Sequence, residues 1–251
     1  MYIDTHCHLS KIDYDNINDV MNENRKNDID KIVVSGYSKE SIEEVVNLSK
    51  QYDDIYLTLG YHPSEVNYIN EQDLKYLEKL LQTTDKLLGI GEIGLDYHYG
   101  KEDREKQIKL FKKQLSIAEK LDLPVIIHTR DACGDTIDIL KQYNVRGIIH
   151  CFSGSIEVAK EYINMGFLLG IGGVVTFKNS NLYKVIETVS LDNIVLETDS
   201  PYLTPEPFRG KKNSSKYIPI IASKIAEIKG ISVNDVSDAT TNNAMKIFDL
   251  K

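Results

Sequence analysis

Residues 87–128 read LLGIGEIGLDYHYGKEDREKQIKLFKKQLSIAEKLDLPVIIH, and the order of their patterns decides the fold. Leu87-Leu88-Gly89-Ile90 is a short apolar run without polar alternation, the pattern of a strand buried on both faces. Beyond it, Ile108, Phe111, Leu115 and Ala118 fall on one face of a helix over residues 102–121. Pro124 is tolerated at the first position of a strand, and Val125-Ile126-Ile127 forms the next apolar run. Strand, helix and strand in this order make a crossover unit, and crossovers join parallel neighbours.

The same pattern extends outward in both directions. Further apolar runs occur at Tyr2-Ile3, Ile32-Val33-Val34, Ile55-Tyr56-Leu57-Thr58-Leu59, Ile148-Ile149, Phe167-Leu168-Leu169-Gly170-Ile171 and Ile194-Val195-Leu196. Eight runs separated by helical stretches predict an α/β fold, a single (β/α)8 barrel of the TIM type. An open doubly wound sheet is the alternative, but no G-x-G-x-x-G follows the first run. Two extra C-terminal helices are predicted near residues 217–228 and 233–248, with Gly230 as the stop between them. There is no long linker, low-complexity tract or internal repeat, so residues 1–251 are expected to form one domain.

Composition narrows the function. At 251 residues the chain has the usual size of one such barrel. A net charge of −8 argues against nonspecific coating of nucleic acid. It leaves room for an enzyme that holds a phosphate chain locally, because bound divalent cations add charge the formal count omits. The segment 209–216, with Arg209, Lys211, Lys212 and Lys216, is locally basic and reads either as a solvated loop or as a phosphate grip. Three cysteines cannot form a disulfide framework, and the odd count fits a reducing compartment. No signal peptide or apolar stretch long enough to span a bilayer is visible, so the expected location is the cytoplasm, without a membrane or obligate protein partner.

All six histidines lie at or just beyond the end of a proposed strand. His6 and His8 follow the first run, His62 the third, His98 the fourth, His128 the fifth and His150 the sixth. Active sites of (β/α)8 enzymes are built at this face, and imidazole is the commonest metal ligand, so a metal site is the first hypothesis. His6 and His8 share strand parity, while Cys7 points the other way and reads as packing, as does Cys151. Asp4 has the parity of His6 and is expected to fix a histidine tautomer from behind; Glu197 has the same relation to Asp199. Glu92, His128, His150 and Asp199, each at the end of a different strand, complete the candidate metal set.

These residues sit in motifs that together resemble the TatD family of metal-dependent deoxyribonucleases, within the amidohydrolase superfamily. The motifs run in order along the chain. They are Tyr2-Ile3-Asp4-Thr5-His6-Cys7-His8-Leu9, Gly60-Tyr61-His62-Pro63, Gly91-Glu92-Ile93-Gly94-Leu95-Asp96-Tyr97, His128-Thr129-Arg130-Asp131-Ala132, His150-Cys151-Phe152-Ser153-Gly154 and Leu196-Glu197-Thr198-Asp199-Ser200-Pro201. Pro207-Phe208-Arg209-Gly210-Lys211-Lys212-Asn213 and Thr241-Asn242-Asn243-Ala244 resemble the closing loop and helix. Ser10 stands where the family usually has Asp or Asn, and Ser215 where it usually has Pro. The resemblance implies that His6, His8 and Asp199 hold one divalent ion and His128 and His150 a second, with Glu92 bridging. It further implies Asp199 as general base and His62, Arg130 and Arg209 as phosphate contacts. The sulfur-free donor set suits zinc, manganese or magnesium. The function implied is phosphodiester hydrolysis in DNA from a free 3′ end. Alternatives on the same platform are RNA cleavage, D-aminoacyl-tRNA deacylation and small-molecule amide or lactone hydrolysis. A nucleic-acid-binding protein without turnover is the alternative of another class. His98 has no assigned role.

Overall fold

Strand and helix alternate as the apolar runs predict. A computed structural model describes residues 1–250. The strands are β1 (Tyr2–Cys7), β2 (Ile29–Gly36), β3 (Ile55–Leu59), β4 (Leu87–Asp96), β5 (Val125–Arg130), β6 (Gly147–Ile149), β7 (Phe167–Ile171) and β8 (Ile194–Leu196). The helices are α1 (Ile17–Lys26), α2 (Lys39–Ser49), α3 (Glu71–Thr83), α4 (Arg104–Leu121), α5 (Cys133–Leu140), α6 (Ile156–Asn164), α7 (Leu182–Thr188), α8 (Ile218–Lys229) and α9 (Val233–Ile247). The strands lie in sequence order in one parallel sheet and form a nearly closed (β/α)8 barrel of the TIM type. No helix among the described residues is long and apolar enough to cross a membrane.

Several strands run further than their apolar cores suggest. β1 includes His6, β4 continues through Glu92 to Asp96, and β5 carries His128 and ends at Arg130. The candidate ligands therefore stand partly on rigid strands, where neighbouring ladders hold their backbones.

The chain divides into two compact units, Met1–Val34 with His150–Lys251, and Ser35–Ile149. In the first, the Asp199 N–H donates to the His6 carbonyl at 3.0 Å and the His8 N–H to that of Ser200 at 2.7 Å. These bonds join the ends of β1 and β8 at the candidate ligands. At the other end of β1, the hydroxyls of Ser237 and Thr241 on α9 donate to the Met1 carbonyl. Asn243 donates to the carbonyls of Leu191 and Ile194. Those bonds give the closing-helix motif a structural part. Gly230, at φ 65°, ends α8 as predicted, in a left-handed conformation that glycine adopts without a Cβ penalty.

In the second unit, α4 faces inward through Leu110, Phe111, Leu115 and Ala118 together with Gln107 and Gln114, while Ile108 is only half-buried. The predicted face is thus shifted by polar residues. Gln114 accepts from the Tyr61 N–H at 2.7 Å and donates to the Tyr61 carbonyl at 3.0 Å. Gln107 makes the same pair of bonds to the backbone of Asp96, at 2.9 and 2.8 Å. Each amide satisfies backbone groups at or just beyond a strand end, where an unmet buried group would cost about 1–3 kcal/mol.

Candidate metal centre

In the first unit, His6, His150 and Asp199 each offer a ligand atom, and these lie within 4.8 Å of one another. The His6 and His150 rings are 4.2 Å apart. The Nε2 atoms of His6 and His8 both lie 3.6 Å from Asp199 Oδ1. Burial works to raise the pKa of Asp199, but the two imidazoles, with His150 nearby, hold it well below the usual carboxylate range. The group is therefore an anion at neutral pH, as a cation ligand must be.

The backbone around Asp199 is unusual. Its φ of 52° is a left-handed conformation, and the Tyr202 N–H closes the turn onto its carbonyl at 2.9 Å. Asn213 clamps this turn from both sides, its amide donating to the carbonyls of Thr198 and Tyr202. Segment 209–216 accordingly has two parts. Asn213, Ser214 and Ser215 are buried, whereas Arg209, Gly210, Lys211 and Lys212 are exposed. The loop is anchored at Asn213, so the segment is not solvated along its whole length.

Asp4 does not hold an imidazole. Its carboxylate accepts from the Thr198 N–H at 3.0 Å, the Thr198 hydroxyl at 2.6 Å and the His6 N–H at 3.3 Å, tying β1 to the segment after β8. With burial the largest influence, its pKa is pushed up to about 7. The carboxylate behind a histidine is Glu197, fully buried with Oε1 3.7 Å from His150 Nδ1 and accepting the Cys151 N–H. Gly170 makes room for it, since a Cβ there would lie 2.3 Å from Glu197 Oε2. Cys7 is buried with its thiol 3.5 Å from the Val33 carbonyl, as a packing residue should be. Cys151 is only partly buried and sits at φ 47°, so packing does not account for it.

In the second unit, Glu92 Oε1 lies 2.7 Å from His128 Nδ1 and 3.8 Å from His62 Nε2. The other ring nitrogen of His128, Nε2, lies 3.1 Å from Asp96 Oδ2. Against the opposing effect of burial, His128 and the His98 N–H hold Asp96 below its ordinary pKa. Each ring nitrogen of His128 thus faces a carboxylate, Nδ1 that of Glu92 and Nε2 that of Asp96. Asp96 was not among the sequence-derived site residues. It shares strand parity with Glu92 two residues further on from Gly94, a signal the sequence did carry. His62, Asp96 and His128 also bring one donor atom each within 4.8 Å. Thus His62, which the resemblance assigns to phosphate, stands among ligand-type residues.

The two arginines lie outside these groups. Arg209 is exposed, its guanidinium 3.9 Å from the centroid of the Phe177 ring. Arg130 is exposed at the end of β5, with its guanidinium 5.7 Å from the Tyr99 centroid. Nitrogen and oxygen donors without sulfur, with one carboxylate held anionic, fit a hard or borderline divalent cation.

Residues 3–249 match the TatD related DNase family. The chain belongs to the TatD family. Its relatives include the metal-dependent hydrolase YabD of Bacillus subtilis, 40% identical over 253 residues, covering 99% of each chain. A metal-dependent hydrolase of Methanocaldococcus jannaschii is 38% identical over 251 residues, 98% of this chain and 96% of its own. The solved structure of the TatD homologue YjjV of Escherichia coli superposes with a TM-score of 0.93 at 28% identity, covering 100% of this chain and 98% of that one. This TatD-family member is a metal-dependent hydrolase on a TIM-type barrel, and it carries several His, Asp and Glu groups that could hold a metal ion.

Proposed function

We propose that the protein hydrolyses phosphodiester bonds in DNA, working from a free 3′ end. His6, His8, Glu92, His128, His150 and Asp199 would be the ligands of two divalent ions; magnesium, manganese and zinc all suit these donors. Such ions lower the pKa of a water molecule and offset charge on the phosphate under attack. Asp199, whose carboxylate lies among His6 and His8, would accept the proton of a water held there. Glu197 keeps the His150 ring oriented from behind, and Asp96 does the same for His128. His62, Arg130 and Arg209 bind phosphate oxygens of the chain, where guanidinium suits bidentate contacts.

The observation that carries this reading is the His6, His150 and Asp199 group, sulfur-free and with its carboxylate held anionic, in a chain that matches a family of DNases over nearly all its length. The test is incubation of metal-loaded protein with end-labelled DNA, RNA and D-aminoacyl-tRNA side by side. Stepwise shortening of DNA from its 3′ end is expected. Deacylation of the charged tRNA with intact DNA would transfer the site to ester hydrolysis.

A further inference from the structure

The β4–α4 loop presents an aromatic ring to solvent in a way packing does not explain. Tyr99 is 87% exposed, more than any other tyrosine among the described residues. It is nevertheless oriented by two neighbours. The His98 ring meets it edge-on at 4.9 Å between centroids, and the Arg130 guanidinium lies over it at 5.7 Å. The loop beneath is pinned at both ends by one carboxylate. Asp135 accepts from the Tyr97 hydroxyl at 2.6 Å and from Arg104 Nε and Nη2 at 2.7 and 2.9 Å. His98 is fixed in turn, its N–H donating to Asp96 Oδ1 at 2.9 Å and its Nδ1 lying 3.1 Å from Asp131 Oδ2. The same Asp96 carboxylate engages His128. A flat ring therefore stands three residues from Asp96, held in place yet almost uncovered, beside a cation. A lone tyrosine on a loose loop would have none of these ties.

We infer that Tyr99, Arg130 and His98 form a nucleobase subsite, with Tyr99 stacking on a base and Arg130 binding the adjoining phosphate. Every base has a π-face, so such a platform accepts a nucleotide chain without reading its sequence. Arg130 serves twice, because a guanidinium over a ring also orients that ring. His98 acquires a role as the ring's edge support. The inference rests on the nuclease reading for its substrate class, and its test separates the two.

The chain contains no tryptophan, so Tyr99→Trp installs a single fluorescent reporter at the subsite. The metal-loaded variant is titrated with a short phosphorothioate oligothymidylate and with an abasic chain of the same backbone. Saturable quenching by the base-bearing chain and little by the abasic one is the expected result. In parallel, Tyr99→Ala should raise KM for a DNA oligonucleotide about tenfold or more, the usual loss of one stacked base, and Tyr99→Phe should stay near wild type. Equal quenching by both chains overturns the inference, as does an equal effect of the Ala and Phe variants. If base-dependent quenching persists while wild-type protein hydrolyses no oligonucleotide, the subsite stands and the nuclease reading falls.

Discussion

Asp199 and Glu92 are the residues on which the proposed chemistry depends most. Asp199 has two imidazole neighbours at 3.6 Å and a left-handed backbone, so its carboxylate is anionic and fixed in direction. Asp199→Asn and Glu92→Gln keep the shape of each side chain but remove the charge that binds a cation and, at 199, the proton acceptor. Loss of a general base alone costs about 10²–10⁴-fold, so each variant should lose at least that much turnover while remaining folded. Metal content measured on each variant separates lost binding from lost chemistry. A folded variant with near wild-type turnover would remove that residue from the site. Arg209 poses a different question, since it is exposed and its guanidinium lies over the Phe177 ring. A charge-assisted contact to phosphate contributes about 1.5–3 kcal/mol, or one to two decades in affinity. Arg209→Ala should therefore raise KM for DNA oligonucleotides by roughly that factor, and more than it affects a small activated phosphodiester. Equal losses on both substrates would show that the arginine supports the site's integrity instead of gripping the chain.

At the scale of elements, the loops after the strands are held by few but specific side chains. Gln107 and Gln114 on α4 bond the backbone of Asp96, the last residue of β4, and of Tyr61, just beyond β3. Asp135 on α5 clips the 97–104 loop through Tyr97 and a bidentate contact with Arg104. The hydrogen bonds from Arg104 and Tyr97 hold the Asp135 pKa below its ordinary value of 3.8. A lowered folded pKa means stability that is present above the ordinary value and lost as pH falls through the lowered one. Denaturant titrations of wild type and Asp135→Asn should therefore differ by about 1 kcal/mol at neutral pH, since the pair is partly solvated. The two curves should converge as pH drops below 4. A gap that persists undiminished at lower pH would assign the effect to packing and not to the charge.

For the whole molecule, buried apolar strands and hydrogen bonds between backbone and hydroxyl groups tie β1 to β8 and to α9. Chelation is therefore expected to abolish hydrolysis and leave the circular dichroism spectrum intact, with activity returning on addition of Mg²⁺ or Mn²⁺. Loss of the folded signal would make the ions structural, and undiminished hydrolysis in excess chelator would remove the metal from the chemistry. The barrel was legible in the chain because each buried strand must be apolar on both faces and each crossover must show one apolar stripe. Those demands are local, and residues 87–128 state them completely. Histidines at strand ends were legible for the same reason, since parity and position along a strand follow from the chain itself. Side-chain partners were not, because they depend on which strands become neighbours and on how far each one runs. Thus Asp4, which has the parity to support a histidine, is bound by Thr198, while Glu197 and Asp96 stand behind His150 and His128. Cys151 reads as packing in the sequence, and the fold places it half-buried on a left-handed turn. Asn213 reads as one polar residue in a basic loop, and only the fold brings its amide onto the turn that carries Asp199. Sequence pattern determines which residues face inward, because burial is enforced residue by residue; hydrogen-bond partnership is settled by tertiary structure, because it requires two distant backbones to arrive within about 3 Å of each other.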